Sequence, residues 1–311
     1  MFHAKTIQLI TGLLLLLPPV SGSNITAQIN ARQHTWTAQD YPHHPLLGVL
    51  DHLDPQPHSP SIAGIPDNAT AFDWRTTNNG HYKDCIGPVQ NQGQCGSCWA
   101  VSTIESVADR FCLFYQRNAT RPHPLKRQPL STLDIIACDK MCQGLDQCCR
   151  GCVGGYPKLA FKYIHKKGVV SDTCMPWNIS KSLLCPPDKC FPPLDNAVSK
   201  VRHVKQVLNM VQEISRNGPV VATFTVFEDF MHYKTGIYNY SGVGKRLGLH
   251  AVKVVGYGID GATGMKYYDC QNSWGDAWGD GGGFKIYAET CGFQESVYTA
   301  EPCLAGESCL L

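Results

Sequence analysis

What this chain lacks narrows its function first. Charge is scarce: 17% of residues are charged, and 27 Lys and Arg against 25 Asp and Glu leave a formal net charge of +2. No Lys/Arg stripe is present. "LKRQ" (125–128) and "HKKG" (165–168) read as solvated ends of elements, so nothing points to a nucleic-acid partner. After residue 17 there is no apolar run near the length of a membrane span, so no span is expected in the processed chain. No internal repeat is evident. Residues 23–66 contain no cysteine, although the whole chain carries 16.

What is present is globular and secretory in texture. Apolar residues make up 43% of 311 positions, enough for one large or two ordinary domains. Lys5 precedes the apolar run "IQLITGLLLLL" (7–17), followed by "PPVSGS". That run is too short to span a bilayer and suits a signal peptide over 1–22, with cleavage near Gly22. Sixteen cysteines fit an oxidising compartment. Sequons at Asn24, Asn68, Asn118, Asn178 and Asn239 fit the same route. A composition shift near "IPDNATAFDWR" (65–75) separates the cysteine-free stretch from the rest. The stretch 23–66, with His34, His43, His44, His52 and His58, reads either as a flexible linker or as a removable prosegment.

Beyond that boundary helices come first. "CWAVSTIESVADRFCLFY" (98–115) sets Val101, Ile104, Val107, Ala108, Phe111 and Leu113 at helical spacing. "LSTLDIIAC" (130–138) has Ser131 as a cap, and "YPKLAFKYIHKKG" (156–168) runs from an early Pro157 to a stop at Gly168. "VKQVLNMVQEISRNGP" (204–219) predicts a fourth helix closed by Gly218. Strand patterns follow at 220–227, 250–260, 265–273 and 282–289. Helices before strands predict an α+β protein with two lobes.

The stretch "QNQGQCGSCWA" (90–100) holds two cysteines with different prospects. A redox CxxC follows an apolar strand, whereas the approach here is rich in Gly and Gln, so Cys95 reads as a disulfide partner. Cys98 heads a helix, where the dipole and free N–H groups stabilise a thiolate. A cysteine nucleophile needs a base, a group to orient that base, and oxyanion donors. His250 opens the strand "HAVKVVGYG" after a Gly-rich loop, and Asn272 ends the next strand ahead of Trp274. Asn272 suits the role of imidazole partner, with the Trp274 indole keeping water off that bond. Gln92 lies six residues before Cys98 in a glycine-bearing turn, where its amide suits an oxyanion beside the Cys98 N–H.

With these residues in place the chain resembles the papain-like cysteine peptidases, in their cathepsin B-like branch. The resemblance runs from about residue 30 to 302 through "FDWR", "QNQGQCGSCWA", "GCVGGYP", "NGPVVATFTVFEDF", "YKTGIY", "LHAVKVVGYG" and "NSWGDAWGDGGGFKI". It implies a two-lobe α+β fold: a helical lobe (67–203) and an antiparallel, barrel-like β-lobe (204–311), with the cleft between them. It further implies Cys98 as nucleophile, His250 as general acid/base, Asn272 as orienter and Gln92 as oxyanion donor, with the strongly lowered thiol pKa that is papain's own. Gly154 and Gly155 would pair with an extended substrate backbone, and Trp274 and Gln294 would border it. Implied bridges are Cys95–Cys152, Cys85–Cys112 and Cys138–Cys142. With Cys98 free, fifteen cysteines remain, so at least one is unpaired or bonds another chain. The cluster Cys138, Cys142, Cys148, Cys149 and Cys152 also admits a zinc reading, which an oxidising compartment disfavours; no metal and no cofactor are expected.

Residues 23–66 then become an inhibitory propeptide, with 29–40 resembling its short cathepsin B-type form; charging of its five histidines near pH 6 would loosen it. Expected partners are polypeptide substrates, the chain's own propeptide and cystatin-type inhibitors. The expected location is an acidic lysosome-like vesicle or the extracellular space. Three departures stand out. The stretch 174–190, where the dipeptide-trimming relatives carry paired histidines, has none, which implies an open cleft and endopeptidase activity. Gln294 stands at or beside the acidic residue that admits Arg at P2, which implies a preference for apolar P2 residues. Val153 stands where a polar residue is common. A non-catalytic binding protein on the same scaffold is the alternative from another class, and a transpeptidase would use the same acyl-enzyme.

Overall fold

The computed structural model describes residues 24–42, 46–50, 63–117, 127–144, 146–178, 184–186 and 201–303. The expected signal peptide and most of the expected prosegment's histidines lie outside these residues, as does much of 174–190. The helices are α1 (Ile25–Arg32), a single turn α2 (Thr77–Gly80), α3 (Cys98–Arg117), α4 (Thr132–Cys138), α5 (Pro157–Lys167) and α6 (Met210–Asn217). The strands are β1 (Trp36–Ala38), β2 (Phe72–Asp73), β3 (Cys142–Gln143), β4 (Gln147–Cys148), β5 (Val201–Gln206) and β6 (Val220–Phe227). They continue with β7 (Tyr233–Tyr238), β8 (Arg246–Ile259), β9 (Lys266–Gln271), β10 (Gly283–Tyr287) and β11 (Ser296–Pro302).

Helix α3 forms the axis of the molecule. It is buried on almost every side, including Glu105, Asp109 and Arg110, because it lies between β8 and β11 on one flank and α5 and α4 on the other. Its charges are paired: Arg127 bridges Glu105 (2.7 Å) and Asp109 (2.5 Å), and Lys253 of β8 reaches Asp109 at 2.5 Å. The caps agree with the sequence. Ser131 accepts from Asp134 N (3.0 Å) at the start of α4, and Gly168 closes α5 with its N–H on Ile164 O (2.8 Å).

All strands but β3 and β4, which pair with each other, form one curled sheet in the order β1-β7-β10-β9-β8-β6-β11-β5, with β2 added to β8. Its pairs are antiparallel except β7 with β10. Alternation along the strands serves two cores. Val220, Ala222 and Phe224 of β6, with Val252 and Val254 of β8, enter a cluster inside the sheet. Val221 and Ala251 face a second cluster, around Trp99, Ile104 and Phe161. Neither cluster is drawn from one stretch of chain: Trp74, Cys85 and Leu113 join the sheet core, while Ala300 joins the helical one.

Two expectations are corrected. The helix expected over 204–219 begins only at Met210, where Asn209 accepts from Gln212 N (2.9 Å). Residues 201–206 are instead a strand, because β11 offers an unfilled edge and Tyr298 takes Gln206 as its register partner. Cys85–Cys112 and Cys95–Cys152 form as expected, but Cys138 bonds Cys185 and Cys142 bonds Cys148. The β3–β4 hairpin sets Cys142 directly opposite Cys148, with Cα atoms 4.0 Å apart, and so removes Cys142 from Cys138. Cys174 and Cys303 are also disulfide-bonded, and among the described residues Cys98, Cys149, Cys270 and Cys291 are free.

The N-terminal residues are folded onto the sheet. Strand β1 adds to β7 with Trp36 opposite Gly236, and Trp36 is only 3% exposed. Ile29 of α1 is fully buried in the sheet core. A flexible linker has no such anchors.

Candidate active site

Three loops and one strand meet where the two cores touch. The Cys95–Cys152 bridge and the Gly96 N–H on Cys152 O (2.9 Å) hold the turn that delivers Cys98 as the first residue of α3. Cys98 is completely buried, with the backbone of Ala251 and Gly48 close to its sulfur. Ala251 follows His250 on β8 and shares one buried cluster with Cys98, which sets the thiol and the imidazole in the same neighbourhood across the two halves.

The imidazole is fixed from three directions. His250 Nε2 lies 2.7 Å from Asn272 Oδ1, the Trp274 ring lies 4.7 Å away centre to centre, and Phe224 meets it edge-on at 6.1 Å. The Asn272 oxygen also accepts from Ser273 N (2.8 Å), which settles its orientation. His250 Nε2 must therefore donate, leaving Nδ1 as the basic nitrogen. Nδ1 is buried with no hydrogen-bond partner, as are Asn272 Nδ2 and Trp274 Nε1.

Gln92 is fully buried, and its Nε2 donates to Cys95 O and to Leu46 O, both at 2.8 Å. Ser273 holds it from the opposite half: Ser273 Oγ donates to Gln92 Oε1 (2.5 Å), and Gln92 N donates to Ser273 O (2.8 Å). Ser273 escaped the sequence reading; its position next to Asn272 in "QNSWG" was the available signal.

Residues 46–50, "LLGVL", thread this site. Gly155 N donates to Gly48 O (2.9 Å), and Val49 bridges both Gly155, in parallel, and Leu249. A side chain at Gly154, whose φ is +144°, would meet Leu50 at 2.8 Å; one at Gly155 would strike the Trp99 ring at 2.5 Å. A Cβ on Gly48 would stand 2.1 Å from Gly96 O, so only glycine allows the segment across the thiol. Gln294 is half-buried on the sheet half, its Nε2 donating to Tyr268 OH at 2.9 Å. Its neighbour Phe293 reaches His250 only through Phe224, at 5.7 and 6.1 Å. The structure thus brings Cys98, His250, Asn272, Gln92, Trp274, Gly154 and Gly155 together and sets Gln294 one aromatic layer back.

Burial under the segment pushes the Cys98 thiol up to about 11. It also pushes His250 down to about 4, against the opposing bond to Asn272. Both shifts favour a neutral thiol beside a neutral imidazole in this covered state. Among the described residues no group of three or more His, Cys, Asp or Glu side chains could hold a metal.

A thiol heading a buried helix, facing an imidazole borne by a curled sheet, defines the papain-like class of folds. Residues 68–301 match the family described as papain family cysteine protease. Cathepsin B of Dictyostelium discoideum is 35% identical, covering 75% of this chain and 74% of its own. Cathepsin B-like cysteine proteinase 5 of Caenorhabditis elegans is 31% identical, covering 93% and 92%. Among solved structures, procathepsin B S9 from Trypanosoma congolense superposes with a TM-score of 0.68 at 25% identity, covering 89% of this chain and 96% of that one. Digestive procathepsin L2 from the Tenebrio molitor larval midgut gives 0.66 at 23% identity, covering 90% and 89%. The chain belongs to the papain family of cysteine proteases, and the relatives named here are cathepsins and cathepsin B-like proteinases.

Proposed function

We propose that this chain is the zymogen of a cysteine endopeptidase. The observation that carries the reading is the meeting of Cys98, the His250–Asn272 pair and the Gln92 amide at one point, with the chain's own residues 46–50 laid across it. The segment crosses the site at Gly48, whose carbonyl oxygen accepts from Gly155 N. Leu46 O occupies the Gln92 donor that a substrate oxyanion would use.

Removal of the prosegment readmits water, lowers the desolvation penalty and lets the helix N-terminus favour a thiolate. The Cys98 thiolate attacks a peptide carbonyl, and the charge developing on the carbonyl oxygen is met by Gln92 Nε2. The protonated His250 Nδ1 gives its proton to the leaving amine, while Asn272 keeps the ring in register. Water, deprotonated by the same nitrogen, then hydrolyses the Cys98 thioester. Gly154 and Gly155 bind the substrate backbone as Gly155 binds Gly48 and Leu50 here.

The histidine-free sequence of 174–190 supports an open cleft and internal cleavage over dipeptide trimming. Gln294, neutral and bonded to Tyr268, supports apolar P2 residues over Arg. No described helix is long and apolar enough to cross a membrane, and the leader-like residues 1–22 support a secretory route to an acidic vesicle or outside the cell. The test is cleavage of an N-blocked, internally quenched peptide by acid-matured protein under reducing conditions, with cut sites mapped by mass spectrometry. Internal cuts that vanish in Cys98→Ala are expected. Stepwise loss of C-terminal dipeptides would overturn the open cleft, and cleavage surviving Cys98→Ala would overturn the mechanism.

A further inference from the structure

The sheet edge under β1 is built for a guest strand, and its Tyr41 seat beside Trp278 is separated from His250 by the Trp274 ring. With the prosegment gone, β7 becomes the free edge of the sheet. Trp36 leaves a box between Tyr233 (6.0 Å) and Tyr238 (5.1 Å), floored by Asn239 O, to which its indole donates at 3.0 Å. Tyr41 leaves a second seat beside Trp278, where its hydroxyl donates to Tyr233 O (2.8 Å) and accepts from Gly279 N (2.9 Å). Ile237 N gives up Thr35 O, at 2.7 Å. Backbone approach is closest at Gly236, φ +99°, where any Cβ would stand 2.4 Å from Thr35 O and 2.6 Å from the Trp36 Cα. A cavity of about 550 Å³, bordered by Thr35, Thr235, Asp269, Asp280 and Lys285, continues the groove.

An uncovered strand edge beside an emptied aromatic box is a liability in a soluble protein unless something uses it. We infer that in the matured enzyme β7 and the Trp36 box form an exosite for polypeptide substrates. It takes an extended segment by strand addition and reads two aromatic side chains about five residues apart, the spacing of Trp36 and Tyr41. A substrate held there raises its effective concentration at the cleft, which the prosegment itself reaches by residue 46. The inference rests on the proposed maturation.

The probe is a fluorescent peptide of residues 33–42, "QHTWTAQDYP", which lacks the cleft-filling residues. It is titrated into acid-matured protein, separated from its prosegment and alkylated at Cys98. Saturable binding is expected, weakened at least about tenfold when the peptide carries Trp36→Ala or Tyr41→Ala, the scale of losing one buried aromatic anchor. Gly236→Ala in the enzyme should weaken it similarly. In unalkylated enzyme, the same segment appended to a quenched substrate should lower KM several-fold with kcat unchanged. Hydrolysis of a small amide should ignore the free peptide. No saturable binding, equal binding of the Trp36→Ala peptide, or inhibition of small-amide hydrolysis would overturn the exosite. Absence of small-amide hydrolysis with binding intact would count against the peptidase reading alone.

Discussion

The covered thiol offers the sharpest physical consequence. In the zymogen, burial moves Cys98 from 9.0 to about 11, a penalty of about 3 kcal/mol against the thiolate. At pH 7 a thiol of that pKa is ionised in about one molecule in 10⁴, and at pH 8 in about one in 10³. His250, held down to about 4, cannot supply the compensating positive charge at those pH values. Matured enzyme should instead hold a thiolate–imidazolium pair. Alkylation rates would mix ionisation with access, and a low-pKa thiolate is also the weaker nucleophile, so rates are a poor readout. Thiolate absorbance near 240 nm counts ionised sulfur directly. The difference between wild type and Cys98→Ser, recorded from pH 5 to 8, should be zero for the zymogen and one full thiolate for the matured protein. Equal thiolate signals in the two forms would refute the argument that the prosegment silences the thiol by desolvation.

Further outcomes follow from the same contacts. Asn272→Ala removes the 2.7 Å bond that fixes the imidazole and should lower kcat about 10- to 100-fold with little change in KM, read in steady-state assays of matured protein. Asp40 of the prosegment bonds Thr26 and Asn24 and faces His232 at 3.4 Å, which together hold its carboxyl below 3.8. A depressed carboxylate stabilises the α1 turn it bonds, and through His232 the docking of that turn, above its free pKa, and loses that effect as pH falls through the lowered value. Asp40→Asn should therefore loosen the prosegment at neutral pH and reduce the further loosening below about pH 4, measured by Trp36 fluorescence in an inactive Cys98→Ala background. Lys253→Met strips a buried cation from Asp109 and should cost about 3 kcal/mol, a fall in Tm of roughly 6–12 °C by calorimetry.

How far the sequence could be read depended on the range of the forces involved. Caps are local, so Ser131, Pro157 and Gly168 could be placed from neighbours alone. Cys98 and Asn272 stood out at element ends beside glycines, whereas His250, expected to open its strand, lies inside β8, which begins at Arg246. The 201–206 strand was illegible, because Val204, Val207 and Val211 keep helical spacing and only the distant edge of β11 decides otherwise. Of the expected bridges only Cys138–Cys142 failed, because Cys148 competes for Cys142 through a hairpin whose two strands are two residues each. Ser273 and the path of Leu46–Leu50 depend on contacts with partners 181 and 46 residues away in sequence, beyond any local pattern.

The most direct test of the whole account is to catch the acyl-enzyme. Matured protein is mixed with an activated peptidyl ester, quenched in acid within milliseconds, digested and mapped by mass spectrometry. The account expects the acyl mass on the peptide containing Cys98, present at a steady-state level in wild type and absent in Cys98→Ala. Turnover of the ester with no adduct at Cys98, or with the adduct on Cys149, Cys270 or Cys291, would contradict it.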